Sequence, residues 1–138
     1  MQPIVLKGHK IAKGKAKGVA LVSRSPISFY GGVNQKKALV MEKGHELEGQ
    51  SISGKILIFP VGKGGMGGTH VLFELAHSLL APKAIVNHRT NPIIAVGVIM
   101  GEIPTMDRAK PDPLEYIHTG DWVEVDADKG IITVWPQE

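Results

Sequence analysis

Among its 138 residues the chain has no cysteine. No disulfide can form, and an iron–sulfur cluster, which is usually held by cysteine thiolates, cannot draw its usual ligands from this chain. Aromatic residues are scarce, at 5%, and the basic residues are spread out apart from "KGHKIAKGKAKG" at residues 7–18. Nucleic-acid surfaces combine a dense basic face with stacking aromatics. The net charge of +3 therefore reads as solvated, strand-flanking surface, and no nucleic-acid partner is expected. No apolar run approaches the length needed to span a bilayer, and "MQPIVLKGHK" lacks the apolar core of a secretory signal. The expectation is a cytoplasmic protein with no membrane partner. The six histidines show no H-x-x-x-H pair or similar ligand spacing, so no metal site is expected within the chain.

What is present suits one globular domain over residues 1–138. Hydrophobic residues make up 43% and charged residues 21%, and this length supports one core rather than two. "PIVLK" and "GVALVS" read as short strands, and "SPISFYGGV" as an irregular loop with exposed aromatics. "GKILIF" (Gly54 to Phe59) and "KAIVN" (Lys83 to Asn87) read as strands buried on both faces. Between them Val71, Leu72, Leu75, Ala76, Leu79 and Leu80 recur at helical spacing, with Thr69 placed to cap the helix. "NPIIAVGVIMG" has Asn91 at an N-cap, Pro92 at the first helical position and Gly101 past the end, the start and stop signals of a second helix. "IPTMD" follows as a strand. This alternation predicts parallel strands joined by right-handed crossovers, whose ligands lie at the carboxyl ends of the strands. "GDWVEVDADKGIITVW" reads as a closing hairpin around Asp128, Lys129 and Gly130.

The glycine-rich "PVGKGGMGGTH" (Pro60 to His70) joins a predicted strand to a predicted helix, where the crossover rule places a ligand. The spacing G-x-x-x-x-G-K-[ST] is absent, which argues against a nucleotide P-loop. Two readings stand. One is an anion cradle of helix N-terminal N–H groups, Lys63 and Thr69 around a carboxylate or phosphate. The other is a purely structural turn. His70, in the first turn, reaches the same ligand on the first reading and is solvated on the second. His77 falls on the polar side of the helix and reads as solvated. In "SRSPISF", Arg24 suits either a bidentate pair with a substrate anion or a bridge to an acidic residue elsewhere in the fold.

Taken together, "GVALVSRSPISFYGGV", "LEGQSISGKILIFPVGKG", "APKAIVNHRTNPIIAVGVIMGEIP" and "TGDWVEVDADKG" resemble the swivel domain of the aconitase X family, in its form as a separate small subunit. The resemblance runs from about Gly14 to Val134. It implies an α/β fold of the swivelling β/β/α type, with barrel- or sandwich-like strands packed with a small parallel sheet and helices. It also implies an aconitase X type large subunit as partner. That subunit would carry the iron–sulfur cluster, with none in this chain, and the pair would remove water from a small anionic hydroxy acid such as mevalonate 5-phosphate or cis-3-hydroxyproline. By the same resemblance the glycine loop lines a shared active site, with Lys63, Gly64, Gly65, Gly68 and Thr69 as substrate contacts. Ser23, Arg24 and Ser25 of the matching "SRSPISF" block join them. The family usually continues the "GKG" with a serine, as in GKGSTVGS, and that serine is thought to be the catalytic base. This chain has Gly65, Met66 and Gly67 there, and glycine cannot take a proton. His70, Lys63 or the partner subunit is left to supply the base, or the chain has different chemistry or none. An imidazole titrates near neutral pH, so His70 is the preferred catalytic candidate.

Overall fold

The computed structural model describes residues 2–137. Seven strands close into one barrel. They are β1 (Ile4–Ala12), β2 (Lys15–Val22), β3 (Ile56–Phe59), β4 (Ala84–Asn87), β5 (Thr105–Lys110), β6 (Trp122–Asp126) and β7 (Ile131–Trp135). Around the barrel the order is β1-β5-β4-β3-β2-β6-β7, with β7 returning to β1. The contiguous strands β2, β3, β4 and β5 run parallel, and the remaining pairings are antiparallel. Of the expected alternatives the barrel is realised, and the parallel strands are part of its wall rather than a second layer.

Alternation sorts the strand residues into two cores. Ile56 and Ile58 of β3, Ala84 and Val86 of β4, and Met106 of β5 pack inside the barrel with Leu6, Val123, Val125, Ile132 and Val134. Their neighbours Leu57, Phe59 and Ile85 point outward and are covered by two helices, α1 (Gly68–His77) and α2 (Pro92–Met100). Both faces of β3 and β4 are thus buried, which is why β3 is apolar throughout and β4 is apolar up to Asn87, whose buried amide donates to the Phe59 carbonyl at 3.0 Å. The helices approach closely because α2 carries Gly97 at the crossing. A Cβ there would sit 3.0 Å from the Leu72 side chain and 3.3 Å from the Thr69 Cα. A short helix α3 (Pro113–Tyr116), not expected from the sequence, adds Leu114 to the barrel core, followed by Ile117.

Three local expectations are corrected. Helix α1 begins at Gly68 with Gly67 at its N-cap and no side-chain cap. Thr69 lies inside the first turn, where its hydroxyl donates to the Ile93 carbonyl at 2.7 Å and ties α1 to α2. Leu79 leaves the apolar stripe, because the chain turns left-handed there, at φ 62°, and exposes it. Of the two aromatics in "SPISFYGGV" only Tyr30 is exposed, while Phe29 is buried edge-on against Phe59, with ring centroids 5.8 Å apart. Edge-to-face rings gain energy beyond their buried area.

Candidate functional site

The carboxyl ends of the parallel strands open onto one rim, fed by the segments that follow β2, β3, β4 and β5. After β2 the chain turns at Ser23. This residue is completely buried, and its hydroxyl donates to the Ser25 carbonyl at 2.7 Å. Glu46 holds the turn from outside, accepting from the N–H groups of Arg24 at 2.6 Å and Ser25 at 3.1 Å. As a substrate contact Ser23 is therefore corrected to a residue that shapes the turn, since its hydroxyl is spent internally. Arg24 is exposed.

After β3 the glycine loop is stitched to the same turn. Ile27 and Gly62 form a parallel bridge, with Ile27 N–H donating to Val61 and Lys63 N–H to Ile27. The glycines differ in why they are glycine. A Cβ on Gly62 would sit 2.7 Å from Ile94, and one on Gly67 would overlap the Tyr30 ring. Gly64 has φ +96° and faces the Ser28 hydroxyl. Gly65 meets nothing within 4 Å and is not in the left-handed region. Position 65 alone among the loop glycines Gly62, Gly64, Gly65 and Gly67 thus has room for a side chain.

Gly65, Met66 and Gly67 have backbone N–H groups with no protein acceptor among the described residues. They stand at the positive end of α1, the arrangement that favours an anion. Lys63 lies at the loop's edge with Nζ 2.7 Å from Glu42, both side chains partly exposed. A ligand anion must compete with Glu42 for it. His70 projects to solvent, its side chain 69% exposed, with Nε2 4.0 Å from Glu74 one turn along the helix. Gly68 is buried beneath Ile93, and Thr69 is half-buried. The structure thus gathers Lys63, Gly64, Gly65, Thr69 and His70 along one loop and helix end.

Residues that sequence reasoning missed come from β4 and β5. His88 follows β4 directly, and its N–H donates to Pro60 at the root of the glycine loop at 3.0 Å. Asn91 Nδ2 donates to the Gly62 carbonyl at 3.1 Å while its Oδ1 caps α2 at Ile94 N–H. The sequence signal for Asn91 was its capping role, and nothing in that signal announced the bond to the loop. His88 Nε2 lies 2.6 Å from Asp112 Oδ1, which also accepts from the Leu114 N–H at the start of α3. Burial alone would raise the Asp112 carboxyl. The His88 hydrogen bond, the Leu114 N–H and the positive charges of His88 and Arg24 outweigh it, and the carboxyl titrates below its ordinary value of 3.8. A lowered carboxyl adds stability above its unfolded value and loses it as pH falls through the lowered folded value. Urea midpoints taken from neutral pH downward are therefore expected to fall less steeply on the acid side for Asp112→Asn than for the parent. Parallel curves would remove Asp112 from the acid response.

No group of three or more His, Asp or Glu residues able to hold a metal ion occurs among the described residues. Cysteine, the usual ligand of an iron–sulfur cluster, is absent from the sequence as well. No helix among the described residues is long and apolar enough to cross a membrane.

The family model described as the aconitase X swivel domain matches residues 5–134. The chain belongs to the aconitase X swivel domain family. Its relatives include a phosphomevalonate dehydratase small subunit of Methanosarcina mazei, 45% identical over 99% of this chain and 95% of that one. A protein of the same description from Methanosarcina acetivorans is 47% identical over 96% of this chain and 92% of that one. Among solved structures, the swivel chain superposes on a chain of the holo-form crystal structure of Thermococcus kodakaraensis aconitase X with TM-score 0.91. That match is 41% identical and covers 96% of this chain and 99% of that chain. A solution NMR structure of a UPF0107 protein matches with TM-score 0.87 at 41% identity, covering 96% of this chain and 100% of that one.

Proposed function

We propose that this chain is the small subunit of a phosphomevalonate dehydratase, a two-chain hydro-lyase of aconitase X type working in the cytoplasm. The observation that carries the reading is the shared description of relatives matching this chain nearly end to end at 45% and 47% identity. On this reading an iron–sulfur cluster sits on the large subunit, and the absence of cysteine from this chain supports that division. The chain's own contribution is the rim at the carboxyl ends of the parallel strands. There the free N–H groups of the glycine loop, Lys63 and Arg24 bind and orient an anionic hydroxy acid while the barrel covers the site.

For the proton, His70 is the candidate base. It lies in the first turn of α1, open to a partner seated on the loop. A second reading, a swivel module that binds and covers without chemistry, is favoured by one observation, the absence of any side chain at Gly65. Reconstitution with the large subunit tests both readings. The proposal expects dehydration of mevalonate 5-phosphate by the pair, with cis-3-hydroxyproline as the contrasting substrate. A pair that assembles and turns over neither acid is the outcome for the module.

A further inference from the structure

Strand β5 carries an extra residue. Lys7 and His9 of β1 lie two apart, yet they pair with Lys110 and Asp107, which lie three apart. The extra residue makes a β-bulge, a feature that re-aims side chains and is frequent beside active sites. Within it Arg108 has φ 51°, a left-handed conformation that a side chain other than glycine, asparagine or aspartate adopts only at a cost. Its N–H donates to the His88 carbonyl at 3.0 Å, binding the bulge to the end of β4. Its Nε lies 3.1 Å from Asp107 Oδ1, on a carboxylate only 4% exposed. The other Asp107 oxygen accepts from the Thr90 N–H at 2.9 Å. A buried carboxylate thus grips the Arg108 Nε edge, and the guanidinium, half exposed, is turned outward. His88 is aimed in parallel fashion by Asp112, which α3 holds in place.

The two aimed groups face one cavity. His88, Arg108, Lys110 and Asp112 line a shallow cavity of about 400 Å³ on the rim, and Arg24 is close enough for Asp112 to feel its charge. Arg24, Arg108 and Lys110 outnumber the two carboxylates nearby, Asp107, which is committed to Arg108 and Thr90, and Asp112, one of whose oxygens is committed to His88 and Leu114. A planar arginine fork beside an imidazole donor is the chemistry that recognises a phosphoryl group.

We propose that Arg108 and His88 form a phosphoryl-binding subsite on the rim, occupied by the phosphate end of the substrate, with Asp107 and Asp112 as the positioning residues that aim them. This rests on the phosphomevalonate reading and deepens it. The glycine loop is left to the other, carboxylate end.

The test has two arms. In the first, the full chain with labelled histidine and arginine side chains is titrated with inorganic phosphate and followed by NMR. The His88 ring and Arg108 guanidinium signals are expected to shift together in the parent, and the His88 ring signal is expected to stay in place in Arg108→Gly, a variant whose backbone suits φ 51°. Absence of a shift in a folded parent overturns the subsite whatever the enzyme's activity. In the second arm, the pair with its large subunit is assayed on mevalonate 5-phosphate and on mevalonate. Arg108→Gly is expected to lower the preference for the phosphorylated acid by about tenfold or more, through KM, and Asp107→Asn to lower it in the same direction. A purely structural role would lower activity on both acids alike. Phosphate binding with an unchanged preference would show that free phosphate occupies the site and would overturn its assignment to the substrate. An inactive parent pair would instead count against the dehydratase reading, with the first arm still deciding the subsite.

Discussion

Replacing His70 with alanine is expected to lower turnover of the assembled pair by about 100-fold or more, the scale on which a general base contributes, with little change in assembly. His70 lies on the exposed face of α1 and its side chain supports no core residue, so the variant folds as the parent does. The companion change is Gly65→Ser in the His70→Ala background. In the wider family a serine is thought to take the proton at this place in the loop, and a hydroxyl at 65 meets open space on a backbone that accepts it. Partial recovery of turnover is expected. The same substitution at Gly67 would drive its side chain into Tyr30 and serves as the contrast. A His70→Ala pair with undiminished turnover would move the base to the large subunit.

The second large effect is on stability. Phe59→Ala is expected to cost about 3–5 kcal/mol, the range for truncating a buried phenylalanine. Phe59 is fully buried, ends β3 directly before the glycine loop, and packs edge-on against Phe29 of the segment that carries Ser23 to Ser25. Removing the ring opens a cavity under both walls of the rim at once. Ligand binding is therefore expected to weaken along with the melting temperature. Leu79→Ala is the control, because Leu79 is exposed and contributes little apolar burial. A Phe59→Ala variant as stable as the Leu79 control would contradict the division into two cores.

The fold was legible where pattern and burial coincide. The runs Ile56 to Phe59 and Ala84 to Val86 are apolar throughout because the barrel lies on one face and the helices on the other. Asn91 and Pro92 open α2 as their backbone chemistry requires, whereas Gly101 closes it at φ −84° and is crowded for a side chain, since a Cβ there would sit 3.0 Å from the Ala76 Cβ. Thr69 misled because a threonine near a helix start is equally useful for holding a second helix, and α2 was close enough to claim its hydroxyl. Phe29 misled because its loop is anchored by Phe59, a contact between distant positions that no local pattern records. The glycine loop was legible as a place where backbone matters, but the reasons for its individual glycines depend on Ile94, Tyr30 and Ser28, which arrive from other segments. His88, Arg108 and Asp112 were invisible as a group. They come from two separate stretches, the end of β4 and the end of β5, and the bulge that turns Arg108 outward appears only in the pairing of β5 with β1.

The measurement that bears most directly on the whole account is the dehydration of mevalonate 5-phosphate by this chain and its large subunit, assayed apart and together. The chain alone is expected to be inactive, since it has no cysteine to supply the usual ligands of the cluster proposed for the large subunit, and the mixture is expected to turn over the phosphorylated acid. Activity in the isolated chain, or an assembled pair that leaves mevalonate 5-phosphate unchanged, would contradict it.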